Sequence, residues 1–408
     1  MLNGLRALDL TDEKGFLCGK ILAELGADVI KVERPGGDPA RNIGPFAGSR
    51  PDPEKSLYWF AYNSSKRGVT LNVETWEGKH YFMKLVERAD FLLESFPPGY
   101  MTRHGLGYDR LSKINPKLIV TSITPYGQTG PYKDFDASDI SLTAMSGLMK
   151  ITGYLDRPPL RLGLDQSYCL ASTHGATGSL FALHNRHLTG EGQHVDVSMY
   201  ECLVLANYWE PVRWEFEQRL VDRIGDRFSR GKGSTRQVWR CKDGFVTWTM
   251  MGGRVEIQRL KAIIERMDQE GMAGFLTSVD LDNVHISRLS DEDLKPWEDL
   301  IAAFFLEHTR EELAQFSSEK KLTLSPVNDL VDVFHGEQTD SRGYWQDLEY
   351  PELGTRIKSP GFLYRSSDME THARFRAPRI GEHNREIFEG ELGLSRERIE
   401  ELESLHVI

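Results

Sequence analysis

Residues 161–201 concentrate the side chains of this chain that could do chemistry. They hold a carboxylate, Asp165, followed by a helical stretch rich in small residues and then a Thr-Gly-Glu-Gly turn that begins at Thr189. Alternating apolar residues over 195–199 indicate a half-buried strand after the turn. A carboxylate is one of the side chains that can serve as a nucleophile in covalent catalysis. An aspartate at the start of a helix also commonly caps the helix. From the residues alone, both interpretations of Asp165 stay open.

The same segment contains three histidines, which raise the question of a metal site. They are His174, His184 and His187. No acidic residue stands at ligand spacing from them, so surface or helix-capping roles are the simpler interpretation. We therefore predict no metal.

Basic side chains recur on the loops between the predicted strands and helices. Arg41 follows the second strand, and Lys66 and Arg67 precede the third. Arg103 follows Phe96 in the loop after the fourth strand. Open α/β sheets bind ligands at the carboxyl ends of their strands, and arginine pairs with phosphate through its fork of donors. A solvated loop residue explains each one alone, but together they favour a ligand with several phosphates and a flat ring.

The composition argues against several classes of protein. A net charge of −11 disfavours non-specific nucleic-acid binding, and no apolar run reaches the roughly 18 residues of a membrane span. The four cysteines are scattered, and the chain opens directly on a strand pattern, so we expect a cytoplasmic protein. The turn over 11–15 has one glycine where a dinucleotide fold needs three, which disfavours NAD and flavin cofactors.

The elements that must position these residues follow an alternating order. Strands and helices alternate over 5–151, which predicts an α/β fold with a parallel sheet. From about residue 205 the pattern changes to a hairpin around a Lys-Asp-Gly turn, followed by amphipathic helices. The predicted helices are 254–267, 294–306 and 310–320. This change predicts a separate, smaller α+β unit.

Longer motifs run in order over nearly the whole chain. They are LAELGADVIKVERPGGDPAR, NSSKRGVTLNVET, ESFPPGYMTRHGLGYDRLSKINPKLIVTSITPYGQTGP, MSGLMKITG, RHLTGEGQHVDVSMYE and GEHNREIFEGELGL. These stretches resemble the class III CoA-transferases, a family that acts on formyl-CoA, crotonobetainyl-CoA and benzylsuccinate, among others. The resemblance implies a large doubly wound, Rossmann-like domain built from both chain ends, 1–204 and 326–408. It also implies a smaller α+β domain over 205–325 and an interlocked dimer.

The resemblance further implies the ligands and the residues that bind them. The substrates would be an acyl-CoA and a small carboxylic acid, with no metal, NAD or flavin. Arg41, Phe96 and Arg103 match family positions beside the phosphates and adenine of CoA. Lys66 and Arg67 match an N-x-x-K-R pattern of the family. These five residues are the predicted CoA-binding set.

Members of the family act through one aspartate at the start of a long helix, which forms an anhydride and then an aspartyl-CoA thioester. Counting back from Thr189 and Gly190, with Gly178 as a second anchor, this position falls on Tyr168. Asp165 lies three residues earlier. A phenol with a pKa of about 10 cannot replace the carboxylate.

Three interpretations follow from this departure. The chain is a non-catalytic subunit that pairs with a catalytic paralogue, or Asp165 is a displaced nucleophile, or the chain binds CoA esters for another purpose. An acyl-CoA racemase is a further alternative and would need a pair such as His174 with Asp139. The partner, an identical or a different chain, stays open. Short counterparts of a family glycine loop, 231–233 and 251–254, are more simply interpreted as turns.

Overall fold

The computed structural model describes residues 1–230, 232–362, 364–368 and 372–408, without the side chain of Arg230. Gly231, from one of the two predicted glycine turns, lies outside the described residues. The chain forms two compact units, which we call the large unit and the small unit. The large unit contains Met1–Leu148, Arg161–Gln218 and Glu337–Ile408, and the small unit contains Met149–Leu160 and Arg219–Gly336.

A six-stranded sheet lies at the centre of the large unit. Its strands are all parallel, in the order β3-β2-β1-β4-β5-β6. Parallel strands are joined by crossovers that cover both faces, so β1, β2, β4 and β5 are buried along nearly their whole length. The predicted α/β fold with a parallel sheet is confirmed. The strands are β1 Arg6–Leu10, β2 Asp28–Glu33, β3 Lys66–Thr70, β4 Phe91–Glu94, β5 Ile119–Thr124 and β6 His194–Ser198.

Helices cover this sheet, and the last part of the chain returns to the same unit. Those before the small unit are α1 Phe16–Glu24, α2 Leu57–Asn63, α3 Trp76–Val86, α4 Tyr100–Arg103, α5 Tyr108–Ile114, α6 Asp139–Met145, α7 Gln166–Thr189, α8 Met199–Ala206 and α9 Trp209–Glu217. The small unit contains β7 Arg227–Arg230, β8 Gly233–Arg236, β9 Val238–Cys241, β10 Gly244–Thr247, α10 Arg254–Gln269, α11 Asp291–Glu307, α12 Arg310–Lys320, β11 Ser325–Pro326 and α13 Leu330–Phe334. The last part of the chain, which belongs to the large unit, contains α14 Glu337–Ser341, β12 Trp345–Tyr350, β13 Thr355–Pro360 and α15 Arg396–Ser404.

Two apolar cores lie on opposite faces of the sheet, because successive side chains of a strand point to opposite sides. Leu8 and Leu92 belong to one core, and Ala7 and Phe91 belong to the other. Phe388, from the last part of the chain, is fully buried in the first core. The two ends of the chain therefore build one unit.

The limits of the units differ from the predicted boundaries at 204/205 and 325/326. Residues 205–218 continue from α8 and remain with the large unit. Residues 149–160 belong to the small unit, where the Arg223 guanidinium donates hydrogen bonds to the carbonyl oxygens of Lys150 and Tyr154 at 3.1 Å each. The predicted boundaries relied on the order of strands and helices. That order does not reveal such backbone contacts.

Helix α7 contains residue 168, the predicted nucleophile position. Its small residues let it approach the sheet closely: a Cβ atom on Gly175 would lie 2.8 Å from Cδ1 of Ile123 and 3.3 Å from Sγ of Cys18. Gly190 ends the helix in the left-handed conformation, with φ of +81°, which glycine adopts without steric cost. Residue 168 therefore has a fixed place in the first turn of a closely packed helix.

The small unit has the predicted hairpin and helices. β9 and β10 pair antiparallel around Lys242 and Asp243, and β11 adds a third strand. The three predicted amphipathic helices correspond to α10, α11 and α12. Their apolar faces bury a core around Trp239 and Phe305. No helix among the residues that the structure describes is long and apolar enough to span a membrane.

Candidate functional site

The carboxyl ends of β1, β2 and β4 open into two adjoining cavities of about 530 and 480 Å³. The two cavities share Leu10, Val32, Glu33, Arg34 and Phe96 in their linings. We call these cavities together the edge groove. Its place at the carboxyl edge of a parallel sheet is where open α/β folds bind ligands.

Cationic side chains line the edge groove. They are Lys14, Arg34, Arg103 and Lys133. Arg34, Arg103 and Lys133 are exposed, whereas Lys14 is half-buried and forms an ion pair with Asp12. Exposed guanidinium groups keep their donors available for phosphate oxygens. The groove can therefore receive an anionic ligand.

Aromatic rings form one wall of the groove. The rings of Phe96 and Tyr100 stack with their centroids 4.4 Å apart. The Tyr100 hydroxyl donates a hydrogen bond to Oε1 of Glu74 at 2.6 Å, which fixes the ring beside the cavity. A flat heteroaromatic ring can stack against such a surface. Two of the five predicted CoA-binding residues, Phe96 and Arg103, thus lie in the groove.

Arg41 lies beneath the groove and does not line it. Its side chain is 1% exposed, and its Nε and Nη2 atoms donate to the carboxylate of Glu33 at 2.6 and 2.8 Å. The guanidinium also stacks on Trp59, 3.8 Å from the ring centroid. Its direct contact with CoA stays a prediction, because in this structure its donors are engaged by the protein. Through Glu33, which does line the groove, Arg41 supports the wall of the cavity.

Lys66 and Arg67 are not on a loop, contrary to the sequence prediction. They are the first two residues of β3, at the amino edge of the strand. Lys66 is fully buried, and its Nζ donates to Asp9 Oδ2 at 2.8 Å. Arg67 Nη2 donates to Asp28 Oδ2 at 2.6 Å. Charged partners distant in the sequence allow Lys66 to be fully buried and Arg67 to be half-buried in a strand.

Tyr168, at the position predicted for the aspartate of the family, lies in the first turn of α7. It is half-buried and packs against the apolar core that contains Ala171. Burial raises the pKa of Tyr168, although the charge of nearby Lys14 acts in the opposite direction. The phenol is therefore neutral at physiological pH.

Two aspartates surround the start of α7 and have different roles. Asp139 is buried, and its Oδ1 accepts hydrogen bonds from the N–H and Oγ of Ser167 at 2.9 and 2.8 Å. Asp165 occupies the N-cap position, but its side chain makes no capping hydrogen bond. Its carboxylate is 40% exposed and pairs with Arg161 at 2.9 Å. The predicted capping role therefore belongs to the side chain of Asp139.

Tyrosine side chains lie close to Asp165. The rings of Tyr58 and Tyr62 are 4.8 Å apart, and the Tyr62 hydroxyl lies 3.9 Å from Sγ of Cys169. Burial, together with the charge of Cys169 and, to a smaller degree, of Asp165, raises the pKa of Tyr62 to about 12. These hydroxyls are thus neutral hydrogen-bond donors.

The alternatives that require other chemistry gain no geometric support. Within the described part of the chain, no hydrogen bond or ion pair joins His174 to Asp139, the pair named for a racemase. No group of three or more His, Cys, Asp or Glu side chains among the described residues is placed to hold a metal ion.

The edge groove also contains cations that the sequence reasoning missed. Lys14, Arg34 and Lys133 were not predicted. Arg34 directly follows β2, so the rule that ligands bind at carboxyl ends would have selected it. Lys133 lies in a loop with no motif that marks it as a ligand-binding residue.

The model of CoA-transferase family III matches residues 2–384, and the chain belongs to this family. It is a class III CoA-transferase or a subunit of one. A relative is the subunit BbsE of succinyl-CoA:(R)-benzylsuccinate CoA-transferase from Thauera aromatica, 33% identical over 94% of this chain and 92% of that protein. Another is succinyl-CoA–D-citramalate CoA-transferase from Chloroflexus aurantiacus, 32% identical over 97% of this chain and 94% of that protein.

Further relatives are subunits of one enzyme. The beta subunit of succinyl-CoA–L-malate CoA-transferase from Chloroflexus aurantiacus is 29% identical over 100% of this chain and 98% of that protein. Among solved structures, a CAIB/BAIF family protein from Brucella suis superposes with a TM-score of 0.81 at 27% identity, covering 95% of this chain and 98% of that one. The fold and the family are therefore established.

Proposed function

We propose that this chain is the CoA-binding, non-catalytic subunit of a heteromeric CoA-transferase and pairs with a catalytic paralogue. Tyr168 is the observation that carries the proposal. It occupies the nucleophile position implied by the family motif, and its half-buried side chain packs against an apolar core of the large unit. The scaffold around the position is kept, but the carboxylate is absent.

The chemistry of CoA transfer explains why a tyrosine in place of the aspartate matters. A carboxylate attacks the thioester carbonyl and expels CoA thiolate, which leaves a mixed anhydride. The thiolate returns to the aspartyl carbonyl of the anhydride and releases the donor acid, and the resulting aspartyl thioester passes CoA to the acceptor acid. A phenol would give an aryl ester, in which the protein contributes no carbonyl carbon that thiolate could attack to form a thioester. The sequence of steps therefore stops at Tyr168.

For the ligand, we propose that CoA lies along the edge groove. Arg34, Arg103 and Lys133 would pair with phosphate oxygens, and Phe96 would contact the adenine. The relatives named above act on succinyl-CoA with dicarboxylic acids. Succinyl-CoA is accordingly the donor we propose, with a small carboxylic acid as the acceptor in the complete enzyme. All four cysteines are free, in agreement with the cytoplasmic location we propose.

An exposed apolar segment supports an obligate partner. Helix α9 buries none of its residues within this chain. Large apolar side chains from the end of α8 through α9 are exposed: Leu205, Tyr208, Trp209, Val212, Trp214 and Phe216. A contiguous apolar surface of this kind marks a protein interface. We propose that the second chain of an interlocked dimer covers it.

One observation favours a second candidate, in which Asp165 is the nucleophile of an active enzyme. Its carboxylate is partly exposed and stands three residues before Tyr168, at the start of the same helix. Its ion pair with Arg161 would have to open before attack. This candidate requires no partner of a different sequence.

Trapping the acyl-enzyme separates the two candidates. The purified chain is incubated with succinyl-CoA, treated with hydroxylamine or borohydride, and analysed by mass spectrometry of its peptides. We expect no adduct in the chain alone, and transfer activity only with the co-expressed paralogue. An adduct on Asp165 that is lost in Asp165→Asn, but not in the exposed control Asp156→Asn, would overturn the proposal. In Tyr168→Asp we expect a new adduct at residue 168.

A further inference from the structure

A row of polar side chains crosses the sheet next to the edge groove. The register pairs Glu94 at the end of β4 with Ser122 of β5, and Ser122 with Asp196 of β6. Side chains paired in this way point to the same face of the sheet. His194 Nε2 lies 2.8 Å from Ser122 Oγ and continues the row. Glu94, Ser122 and His194 line a small cavity of about 40 Å³, which shares Pro97 with the edge groove.

Glu94 connects this row to the loop that carries Phe96. The backbone N–H of Phe96 donates a hydrogen bond to Oε2 of Glu94 at 2.8 Å. The neighbouring Ser95 hydroxyl donates to Asp12 Oδ1 at 2.7 Å, so two carboxylates accept hydrogen bonds from this loop. Phe96 and Pro97 line the groove. The conformation of this wall therefore depends on Glu94.

The surroundings of Glu94 are unfavourable for its charge. The side chain is buried, with 4% exposure for the residue, and no ion pair in the described part of the chain includes it. The charged groups that act on it are Asp12 from the loop after β1 and Asp196 from β6, both negative. Across Ser122 stands His194, whose pKa is lowered by burial. Burial first, and then the two aspartates, raise the pKa of Glu94 to about 7, although neighbouring Ser122 and the hydrogen bond from Phe96 act in the opposite direction.

We propose that Glu94 is a positioning residue that makes CoA binding depend on pH: its carboxylate fixes the wall at Phe96, and its protonation loosens that wall. The inference rests on the proposed place of CoA in the edge groove. A hydrogen bond to a carboxylate is roughly twice as strong as one to a neutral carboxyl group. Since the transition lies near neutrality, physiological pH changes alter the populations of both states.

The test compares wild type with Glu94→Gln, which is a neutral replacement of similar shape. The CoA affinity of both is measured by calorimetry at pH 6 and pH 8, and the ratio at each pH cancels the titration of CoA itself. We expect wild type to bind about fivefold more tightly than the variant at pH 8 and equally tightly at pH 6. A ratio that is the same at both pH values would overturn the proposal. The matched control is Glu74→Gln, an exposed groove carboxylate, whose ratio should not depend on pH.

A measurement without ligand separates failure of this inference from failure of the proposed CoA site. Hydrogen exchange of the peptide containing Phe96 is compared between wild type and Glu94→Gln at each pH. We expect extra protection in wild type at pH 8 that disappears at pH 6. If CoA does not bind, or if Arg34→Ala leaves its affinity unchanged, the proposed place of CoA in the edge groove is wrong. The hydrogen-exchange measurement still decides the role of Glu94 in that case. Should the variant not fold, the wild-type peptide, normalised to a β1 peptide, must still lose protection between pH 8 and pH 6.

Discussion

The basic residues of the large unit form two groups that look alike in the sequence. Arg41 and Lys66 are buried and bound by carboxylates of the protein, whereas Arg34 and Arg103 are exposed in the edge groove. All four stand near ends of strands of one sheet. The difference lies in the acidic residues that fold beside them, since a buried charge must be paired. Cations that pair with buried carboxylates support the site, whereas exposed cations can bind the ligand.

The largest expected effect that tests this comparison is on Lys66. Replacing it in Lys66→Met leaves Asp9 buried beside one remaining cation, Lys31, and we expect a loss of roughly 3–5 kcal/mol in unfolding free energy. Urea unfolding measures the loss. Burial raises the pKa of Asp9, but the charges of Lys66 and Lys31 outweigh this and hold it below its usual range. Stability from this carboxylate is therefore present above its unfolded pKa and lost as the pH falls through the folded value.

The matched control for Lys66 is the exposed Arg103→Ala, which should change the unfolding free energy by less than about 0.5 kcal/mol. Equal losses in Lys66→Met and Arg103→Ala would show that burial does not separate the two groups of cations.

A smaller effect on stability is expected at Glu94, with the opposite dependence on pH. Its pKa in the folded chain, about 7, lies above the unfolded value of 4.5, so the native state holds more protons between these values. Wild-type stability should fall as the pH rises through this window. The unfolding free energy of Glu94→Gln should exceed that of wild type by an amount that grows from about pH 4.5 to pH 7. This difference should reach about 3 kcal/mol at most and then remain constant. Urea unfolding at several pH values measures it, and an advantage independent of pH would contradict the assignment.

The smallest effect concerns ligand affinity and divides Arg41 from Arg34. We expect Arg34→Ala to weaken CoA binding about tenfold, or about 1.4 kcal/mol, with the loss shrinking at high salt and stability unchanged. Arg41→Ala should weaken binding too, but together with a clear loss of unfolding free energy, because it leaves Glu33 buried and unpaired. Calorimetry and urea unfolding on both variants test this pattern. Unchanged CoA affinity in Arg41→Ala would refute its predicted role in the site.

The sequence predicted the sheet, the hairpin and the helices because local periodicity determines them. It also predicts that Tyr168 stands at the nucleophile position of the family, because the spacing from Thr189 and Gly190 is a local property of α7. It misplaced Lys66 and Arg67, because their partners Asp9 and Asp28 are 57 and 39 residues away in the chain. It missed Arg34, although this residue directly follows β2 and therefore lies at the carboxyl edge of the sheet, where ligands bind. Local patterns predict elements, whereas pairing between distant charges decides which residues face a ligand.

The close approach of Gly175 to Ile123 and Cys18 has a consequence for how the proposed non-catalytic subunit could arise. Helix α7 has no room to rotate or slide, so whichever side chain stands at residue 168 is presented at the same point in space. An aspartate codon becomes a tyrosine codon by a single base change. After a gene duplication, one copy could therefore lose its chemistry in one mutational step while the protein kept its shape, its groove and its ability to assemble.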